Sequence, residues 1–188
     1  MRIGIFGGTF DPPHLGHWLA AVDAAEALSL GRVLWIPAAQ QPLKAGVVSA
    51  GASHRLAMTR LAVEGDARFV VDPVELDRGG MSYTVDTLRT IRERSPEAAL
   101  FLLLGMDAAA QLPKWREPEA IRTLAEIVVL TRGSGHAVPL AEGVRVITTR
   151  RVDMSATEIR ARVAAGRSIR GFVSETVAAY IAAHGLYH

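Results

Sequence analysis

Short apolar segments alternate with longer helical patterns along the whole chain, and this alternation constrains the fold more than any other feature. Six apolar segments are predicted as strands: 3–6, 33–36, 68–71, 100–104, 127–131 and 144–148. Six segments are predicted as helices: 16–28, 53–63, 83–94, 117–124, 155–165 and 174–184. Because the strand segments are apolar throughout, we expect helices on both faces of the sheet. The pattern predicts an α/β fold with a doubly wound parallel sheet.

The chain has 188 residues, a length that fits one domain. We expect a Rossmann-like core over residues 1–150 and a small C-terminal helical segment over 151–188. Ser155 begins the first helix of that segment, and Glu158 three residues later predicts a capping box. Ligands of doubly wound sheets bind beyond the carboxyl ends of the strands. The loops expected to form the site follow Phe6, Ile36, Leu104 and Thr131.

The amino-acid composition and net charge reduce the number of functional classes that fit the chain. Hydrophobic residues make up 49% of the chain, but no apolar run reaches the roughly 20 residues of a membrane helix. The sequence has no Cys, which excludes disulfides and thiolate metal sites, and a cytoplasmic location is expected. The net charge of +2 comes without a dense basic run, so neither nucleic acid nor membrane is an expected partner. A non-enzymatic nucleotide- or RNA-binding module is a lower-ranked alternative, because base-stacking aromatic residues are few and scattered.

The segment after the first strand carries the strongest chemical signal. It runs Gly7-Gly8-Thr9-Phe10-Asp11-Pro12-Pro13-His14-Leu15-Gly16-His17. The paired glycines would let a ligand approach the backbone, and the helix N-terminus that follows favours a phosphate. His14 and His17 are three residues apart and should project from one face of the helix. Gly16 would leave room for a nucleotide base or ribose. The segment therefore predicts an anion site.

Three other interpretations of this loop fit less well. A dinucleotide-binding fingerprint needs Gly-x-Gly-x-x-Gly and an acidic residue after the second strand, which here ends in Ile36-Pro37. A P-loop needs Gly-Lys-Ser/Thr, which is absent. Helical zinc pairs usually lie four residues apart and need further ligands, for which Asp11 and His54 are the nearby candidates. No metal ligand is therefore expected.

The loop resembles the first signature of the nucleotidyltransferase superfamily, Gly-Thr-Phe-Asp-Pro-x-His-x-Gly-His. The second signature, Ser-x-Thr-x-Ile-Arg at a helix start, resembles residues 155–160. The intervening chain is similar to the bacterial nicotinate-nucleotide adenylyltransferase family in segments 37–44, 82–88, 105–107, 112–115 and 184–187. The resemblance covers essentially the whole chain. It implies transfer of AMP from ATP to nicotinate mononucleotide, giving deamido-NAD and pyrophosphate, with Mg²⁺ accompanying ATP.

The resemblance also implies roles for individual residues. The catalytic residues would be His14, His17, Lys44 and Arg160. ATP would be bound by Gly7, Gly8, Thr9, Phe10, Gly105, Asp107, Ser155 and Thr157. The acceptor would be bound by Lys44, Thr84, Trp115 and Arg132, with the indole stacking on the pyridine ring. Without the resemblance, Trp115 would be interpreted as a loop anchor and Asp107 as a helix cap. Self-association into a homo-oligomer is compatible with the sequence.

The chain departs from the family pattern at Leu43. The family commonly has His in a Pro-Pro-His-Lys or Pro-Pro-His-Arg segment, where this chain has Gln41-Pro42-Leu43-Lys44. Leucine cannot donate a hydrogen bond, so a contact to the acceptor phosphate is missing while the lysine charge is kept. Nicotinamide mononucleotide and phosphopantetheine therefore stay alternative acceptors.

Overall fold

The computed structural model describes residues 1–40, 50–132 and 143–188, with the side chain of Arg132 left out. Six strands in these ranges form one parallel sheet in the order β3-β2-β1-β4-β5-β6. They are β1 (Arg2–Gly8), β2 (Arg32–Pro37), β3 (Phe69–Val71), β4 (Ala99–Gly105), β5 (Glu126–Arg132) and β6 (Val144–Thr149). The helices are α1 (Leu15–Ala27), α2 (Ala52–Val63), α3 (Val74–Arg78), α4 (Thr84–Arg94), α5 (Met106–Gln111), α6 (Pro118–Leu124), α7 (Ala156–Ala164) and α8 (Glu175–Ala183). A 3₁₀ turn, Leu112–Lys114, follows α5.

Side chains of the central strands alternate between two buried cores, one on each face of the sheet. In β1, Ile3 and Ile5 enter the core that contains residues of α4 and α6, whereas Phe6 enters the core that contains residues of α1. In β4, Leu102 enters the first of these cores and Phe101 enters the second. The sheet is covered on both faces, as the apolar strand segments require. The predicted doubly wound parallel fold is confirmed.

Helices α7 and α8 pack on α2 rather than on the sheet. A third buried cluster joins them through Ala50, Met58, Ile159, Val163, Val173, Val177 and Ile181. The backbone N–H of Leu15 also donates to the Phe172 carbonyl at 2.9 Å, which ties the start of α1 to the segment before α8. The C-terminal helices are therefore attached directly beside the loop that follows β1.

The sequence prediction missed two short helices, α3 and α5. Each is five or six residues long and too short to show an apolar period. The cap predicted at Ser155 is present, because its Oγ accepts the Glu158 N–H at 3.1 Å. None of the helices in the described part of the chain has the length and apolar character that crossing a bilayer requires.

Candidate active site

A crevice opens at the carboxyl edge of the sheet between β1 and β4. β1 stays paired with β2 as far as Gly8 and Pro37, but its pairing with β4 ends at Ile5 and Leu102. The two central strands therefore separate before their carboxyl ends, where the strand order changes direction. Doubly wound sheets bind ligands at this switch point. Gly105, which ends β4 on the far side of the crevice, is exposed.

The ring of Phe10 anchors the loop after β1 in the core. This residue is 1% exposed, has a φ of 50° and packs against Phe6 and Trp35, at ring-centroid distances of 5.8 and 5.1 Å. Because the ring is in the core, ATP could contact this residue only through its backbone, and the predicted role of Phe10 in ATP binding stays a prediction. A Cβ on Gly8 would lie 2.8 Å from the Phe10 ring, so the glycine is needed for this packing. Gly7, by contrast, is exposed and borders open space.

His14 and His17 form a stacked pair at the start of α1, as their spacing predicted. The ring centroids are 3.7 Å apart with an interplanar angle of 27°. The backbone N–H of His14 donates to Nδ1 of His17 at 3.2 Å. Since an N–H can only donate, Nδ1 is the acceptor and the neutral ring carries its hydrogen on Nε2. Edge contacts with Phe6 and Phe10 further hold this ring, which can therefore offer a preoriented donor to an anion.

Gly16 is required for a reason that the sequence did not predict. A Cβ at this position would lie 3.1 Å from Cε1 and Nδ1 of His14 and 3.5 Å from Cγ of Met154. The missing side chain makes room for the His14 imidazole, which is 6% exposed. A Cβ at Gly16 would thus be bordered by protein, and the packing of a base or ribose beside this glycine stays a prediction.

The second sequence motif meets the first loop through Arg160. Its Nη1 donates to the backbone carbonyl of Asp11 at 2.8 Å, across 149 positions of sequence. Its Nη2 lies 3.4 Å from Oγ1 of Thr157. Thr157 and the capping Ser155 are exposed at the start of α7. A guanidinium and a helix N-terminus therefore lie beside the loop that carries the histidine pair.

A second cluster of predicted site residues lies at the start of α4. Thr84 is its first residue, and the preceding turn is tied to the loop after β2 because Ala39 N–H donates to Oγ of Ser82 at 2.9 Å. Trp115 and Tyr83 are both half-buried against the same core. The neighbouring Arg116 lies over the Tyr83 ring at 5.0 Å. The segments that contain Thr84 and Trp115 are thus adjacent.

The remaining predicted site residues differ in how much of each the structure describes. Lys44 and Leu43 lie outside the described residues. Arg132 ends β5, and only its backbone is described. Asp107 is exposed in the first turn of α5, beside Gly105.

Comparison with known proteins assigns the chain to a family. Residues 5–162 match the family model described as cytidylyltransferase-like. A relative from Gemmatimonas aurantiaca, named "probable nicotinate-nucleotide adenylyltransferase", is 52% identical over 196 residues, covering 100% of this chain and 92% of the relative. A relative of the same name from Roseiflexus sp. is 48% identical, and the match covers 98% of this chain and 97% of the relative. The chain belongs to the nicotinate-nucleotide adenylyltransferase family.

Solved structures show the same fold for this adenylyltransferase family member. Two structures of Plasmodium falciparum nicotinic acid mononucleotide adenylyltransferase, complexed with APC and with NaAD, match with TM-scores of 0.81 and 0.79. Each match covers 99% of this chain. The APC complex is covered over 96% of its chain and the NaAD complex over 97%. Sequence identity is only 18% and 19%, so the similarity is one of fold.

Asp11 connects three distant parts of the adenylyltransferase. Its Oδ1 accepts the Ala50 N–H at 3.1 Å and the Tyr187 hydroxyl at 2.8 Å, while its backbone carbonyl accepts Arg160. The carboxyl group is buried, with the residue 3% exposed. Burial and the bond to Asp11 both raise the pKa of Tyr187, which keeps the phenol a donor. Sequence reasoning missed this connection because no local pattern links position 187 to position 11.

Arg55 is the second residue that sequence reasoning missed. It is 2% exposed and donates to the carbonyls of Thr9 and Ala38 through Nη1, at 2.9 and 2.7 Å, and to that of Ala39 through Nη2 at 3.3 Å. Burial lowers the pKa of its guanidinium, and the charge of Asp11 opposes that shift. Arg55 thus joins the loop after β1 to the loop after β2. Its one sequence signal is its spacing with the buried Met58, three residues on in α2.

Proposed function

We propose that this chain transfers AMP from ATP to nicotinate mononucleotide, forming deamido-NAD and releasing pyrophosphate. The observation that carries the proposal is the contact between the two motifs, in which Arg160 reaches Asp11 beside the stacked His14 and His17. The contact supports the proposal because it brings donors suited to phosphate oxygens to one crevice. The shared name of relatives that match over nearly the whole chain supports nicotinate mononucleotide as the acceptor.

The reaction is an in-line displacement at the α-phosphorus of ATP. An oxygen of the acceptor phosphate forms a bond to that phosphorus, the bond to the bridging oxygen breaks, and pyrophosphate leaves with the electron pair. A phosphate is already a nucleophile, so no covalent intermediate with the protein is needed. The protein's contribution is positioning and charge stabilisation. The Nε2–H of His17 and the guanidinium of Arg160 would supply these to the phosphate oxygens.

ATP would lie across the crevice between β1 and β4. The exposed backbone at Gly7 and the segment to Thr9 would approach the nucleotide, and Gly105 and Asp107 on the opposite wall would meet the ribose. At α7, Ser155 accepts the N–H of Glu158, whereas the N–H groups of the first two helical residues have no partner within the helix. These groups, with Arg160, would bind the triphosphate.

The acceptor would occupy the side of the crevice formed by α4 and the loop at Trp115. Trp115 would stack on the pyridine ring, and the backbone N–H groups at the start of α4 near Thr84 would bind the carboxylate. An amide in its place would point an NH₂ group at donors with which it cannot pair. Lys44 and Arg132 would face the acceptor phosphate, with Leu43 contributing no hydrogen bond.

Mg²⁺ is expected to accompany ATP rather than to occupy a site built by the protein. No group of three or more His, Cys, Asp or Glu side chains comes together among the described residues. Mg²⁺ commonly keeps several waters and binds through substrate phosphates. No step of the mechanism above depends on a protein ligand to the metal. We also infer that residues 1–188 act as one catalytic domain, since both motifs contribute to one crevice. A cytoplasmic location stays a prediction from the sequence.

The proposal is tested by measuring pyrophosphate release with ATP and each of three acceptors: nicotinate mononucleotide, nicotinamide mononucleotide and phosphopantetheine. We expect kcat/KM for the nicotinate compound to exceed that for the nicotinamide compound by at least about tenfold, the effect of about one misplaced donor pair. Equal efficiency with both mononucleotides would show that the site does not recognise the carboxylate. Turnover with phosphopantetheine alone would replace the proposal with the alternative acceptor.

A further inference from the structure

A buried carboxylate lies behind the acceptor side of the crevice. Glu75, in α3, is 7% exposed, and its Oε1 accepts the hydroxyl of Thr87 at 2.7 Å. The hydroxyl of Ser82 also acts on this carboxyl group and lowers its pKa, against the larger effect of burial. Ser82 and Thr87 stand on either side of Thr84, the first residue of α4. Glu75 therefore interacts with the chain both before and after the helix start.

The directions of these hydrogen bonds are determined by their partners. Oγ of Ser82 accepts the N–H of Ala39 at 2.9 Å, which leaves its own hydrogen for Glu75. Oγ1 of Thr87 accepts Nη2 of Arg78 at 3.2 Å and donates to Glu75. A second acceptor for the Thr87 hydroxyl, the Tyr83 carbonyl, is more distant at 3.4 Å. The Thr87 hydroxyl thus donates to Glu75 while it accepts from Arg78, and linked bonds of this kind reinforce one another.

The same network reaches the ATP side of the crevice. Ala39, which donates to Ser82, is bonded through its carbonyl to Arg55, and Arg55 also binds the carbonyl of Thr9. A continuous series of hydrogen bonds therefore joins the loop after β1, the loop after β2 and the turn before α4. The series ends at Ser82, whose hydroxyl acts on the buried Glu75.

We propose that Glu75 is a positioning residue for acceptor selection. By binding Thr87 in the first turn of α4 it fixes the helix start at Tyr83, so that the N–H groups there are held where they meet the carboxylate of nicotinate mononucleotide. The inference rests on the proposed function. A fixed array of N–H donors discriminates acid from amide, whereas a loose array adapts to either. Loss of Glu75 should therefore reduce discrimination between acceptors more than it affects ATP.

The test compares Glu75→Ala with the wild-type protein, using Asp77→Ala, an exposed change in the same helix, as the control. In Glu75→Ala, KM for nicotinate mononucleotide is expected to rise about tenfold or more, with KM for ATP changed by less than about twofold. The ratio of kcat/KM for nicotinate over nicotinamide mononucleotide is expected to fall towards one. Asp77→Ala should leave all these values unchanged. A purely structural role would instead lower Tm and impair both substrates together.

Thr87→Val and Thr87→Ser keep the test decisive if Glu75→Ala does not fold. Valine matches threonine in shape and removes the donor, so it should reproduce the loss of selectivity. Serine keeps the hydroxyl and should retain selectivity. An unchanged acceptor ratio in a folded Glu75→Ala or Thr87→Val protein overturns the inference. A wild-type protein that shows no preference for nicotinate mononucleotide would instead overturn the proposed acceptor.

Discussion

Tyr187 donates its hydroxyl to the carboxylate of Asp11 at 2.8 Å, across 176 positions of sequence. The bond connects the segment after α8 to the loop that carries the histidine pair. Oδ1 of Asp11 accepts two hydrogen bonds, so loss of one donor leaves part of a buried carboxylate unsatisfied. The geometry of the loop after β1 therefore depends on a residue that is remote from it in sequence.

We expect Tyr187→Phe to lower the free energy of unfolding by about 1 kcal/mol, the net value of one buried hydrogen bond. KM for ATP should rise more than KM for the acceptor, because the bond supports the loop after β1, which is proposed to bind ATP. Urea denaturation and initial-rate kinetics measure the two effects. Tyr180→Phe, which removes a hydroxyl that is bonded to His54, is the matched control. An unchanged KM for ATP would separate Tyr187 from the nucleotide site.

Arg55 should be important for both stability and turnover. Arg55→Met removes the donors to three carbonyls, and we expect a loss of about 2–4 kcal/mol in the free energy of unfolding. Arg55→Lys keeps the charge but loses the planar guanidinium and its fixed set of donors. It should therefore be only partly more stable than Arg55→Met and should keep a low kcat. Arg60→Ala, an exposed change on α2, is the control. Normal kcat in a folded Arg55→Met protein would contradict a link between the two loops.

His17→Ala is expected to lower kcat by at least about 100-fold, the cost of losing one preorganised donor to the transition state. Circular dichroism should show an intact fold. His184→Ala, which removes an exposed imidazole from the end of α8, should keep normal turnover. Pyrophosphate release measures both variants. Near-normal kcat in His17→Ala would remove this residue from catalysis.

Arg160→Ala should weaken ATP binding and slow transfer, with little change in acceptor binding. A guanidinium binds phosphate oxygens with a fixed pair of donors, which alanine lacks. Calorimetry with a non-hydrolysable ATP analogue measures the affinity. Arg167→Ala, at an exposed position just after α7, serves as the comparison. Unaltered ATP affinity together with normal turnover would show that Arg160 only holds the Asp11 carbonyl.

Burial of Glu75 should make stability depend on pH. Desolvation raises the pKa of its carboxyl group in the folded state above the ordinary value, so the folded state retains this proton to higher pH than the unfolded state does. The contribution of Glu75 to stability is therefore full below the unfolded pKa and is lost as pH rises through the folded pKa. Glu75→Gln lacks this dependence, so its stability relative to wild type should increase across that window. Urea denaturation at a series of pH values measures this, with exposed Glu93→Gln as control.

The sequence was sufficient to predict the sheet, because a strand covered on both faces must be apolar throughout. It also predicted that His14 and His17 lie on one face, since that follows from helix geometry alone. It did not predict the packing roles of Phe10 and Gly16. A motif identifies residues that a site needs, but it does not separate those that touch a ligand from those that support the loop beneath it.

Arg55 and Glu75 were not predicted because charged residues on short or amphipathic helices ordinarily face solvent. Their burial depends on which backbone carbonyls and hydroxyls converge around them in three dimensions. For Arg55, those partners are Thr9, Ala38 and Ala39, which lie in two loops that only the folded sheet brings together. A single sequence holds no local signal for such convergence.

The pairing of β1 with β4 also sets how the chain can fold. β1 lies in the middle of the sheet, and the partner of Ile3 on one side is Leu100, more than half the chain away. Closing a loop of that length costs conformational entropy, which is offset only after the strand contacts have formed. Parallel pairings between distant segments slow folding relative to helical bundles of similar size. The crevice proposed to bind substrates therefore has no early precursor, and catalytic competence should appear only with the last, slowest step of refolding.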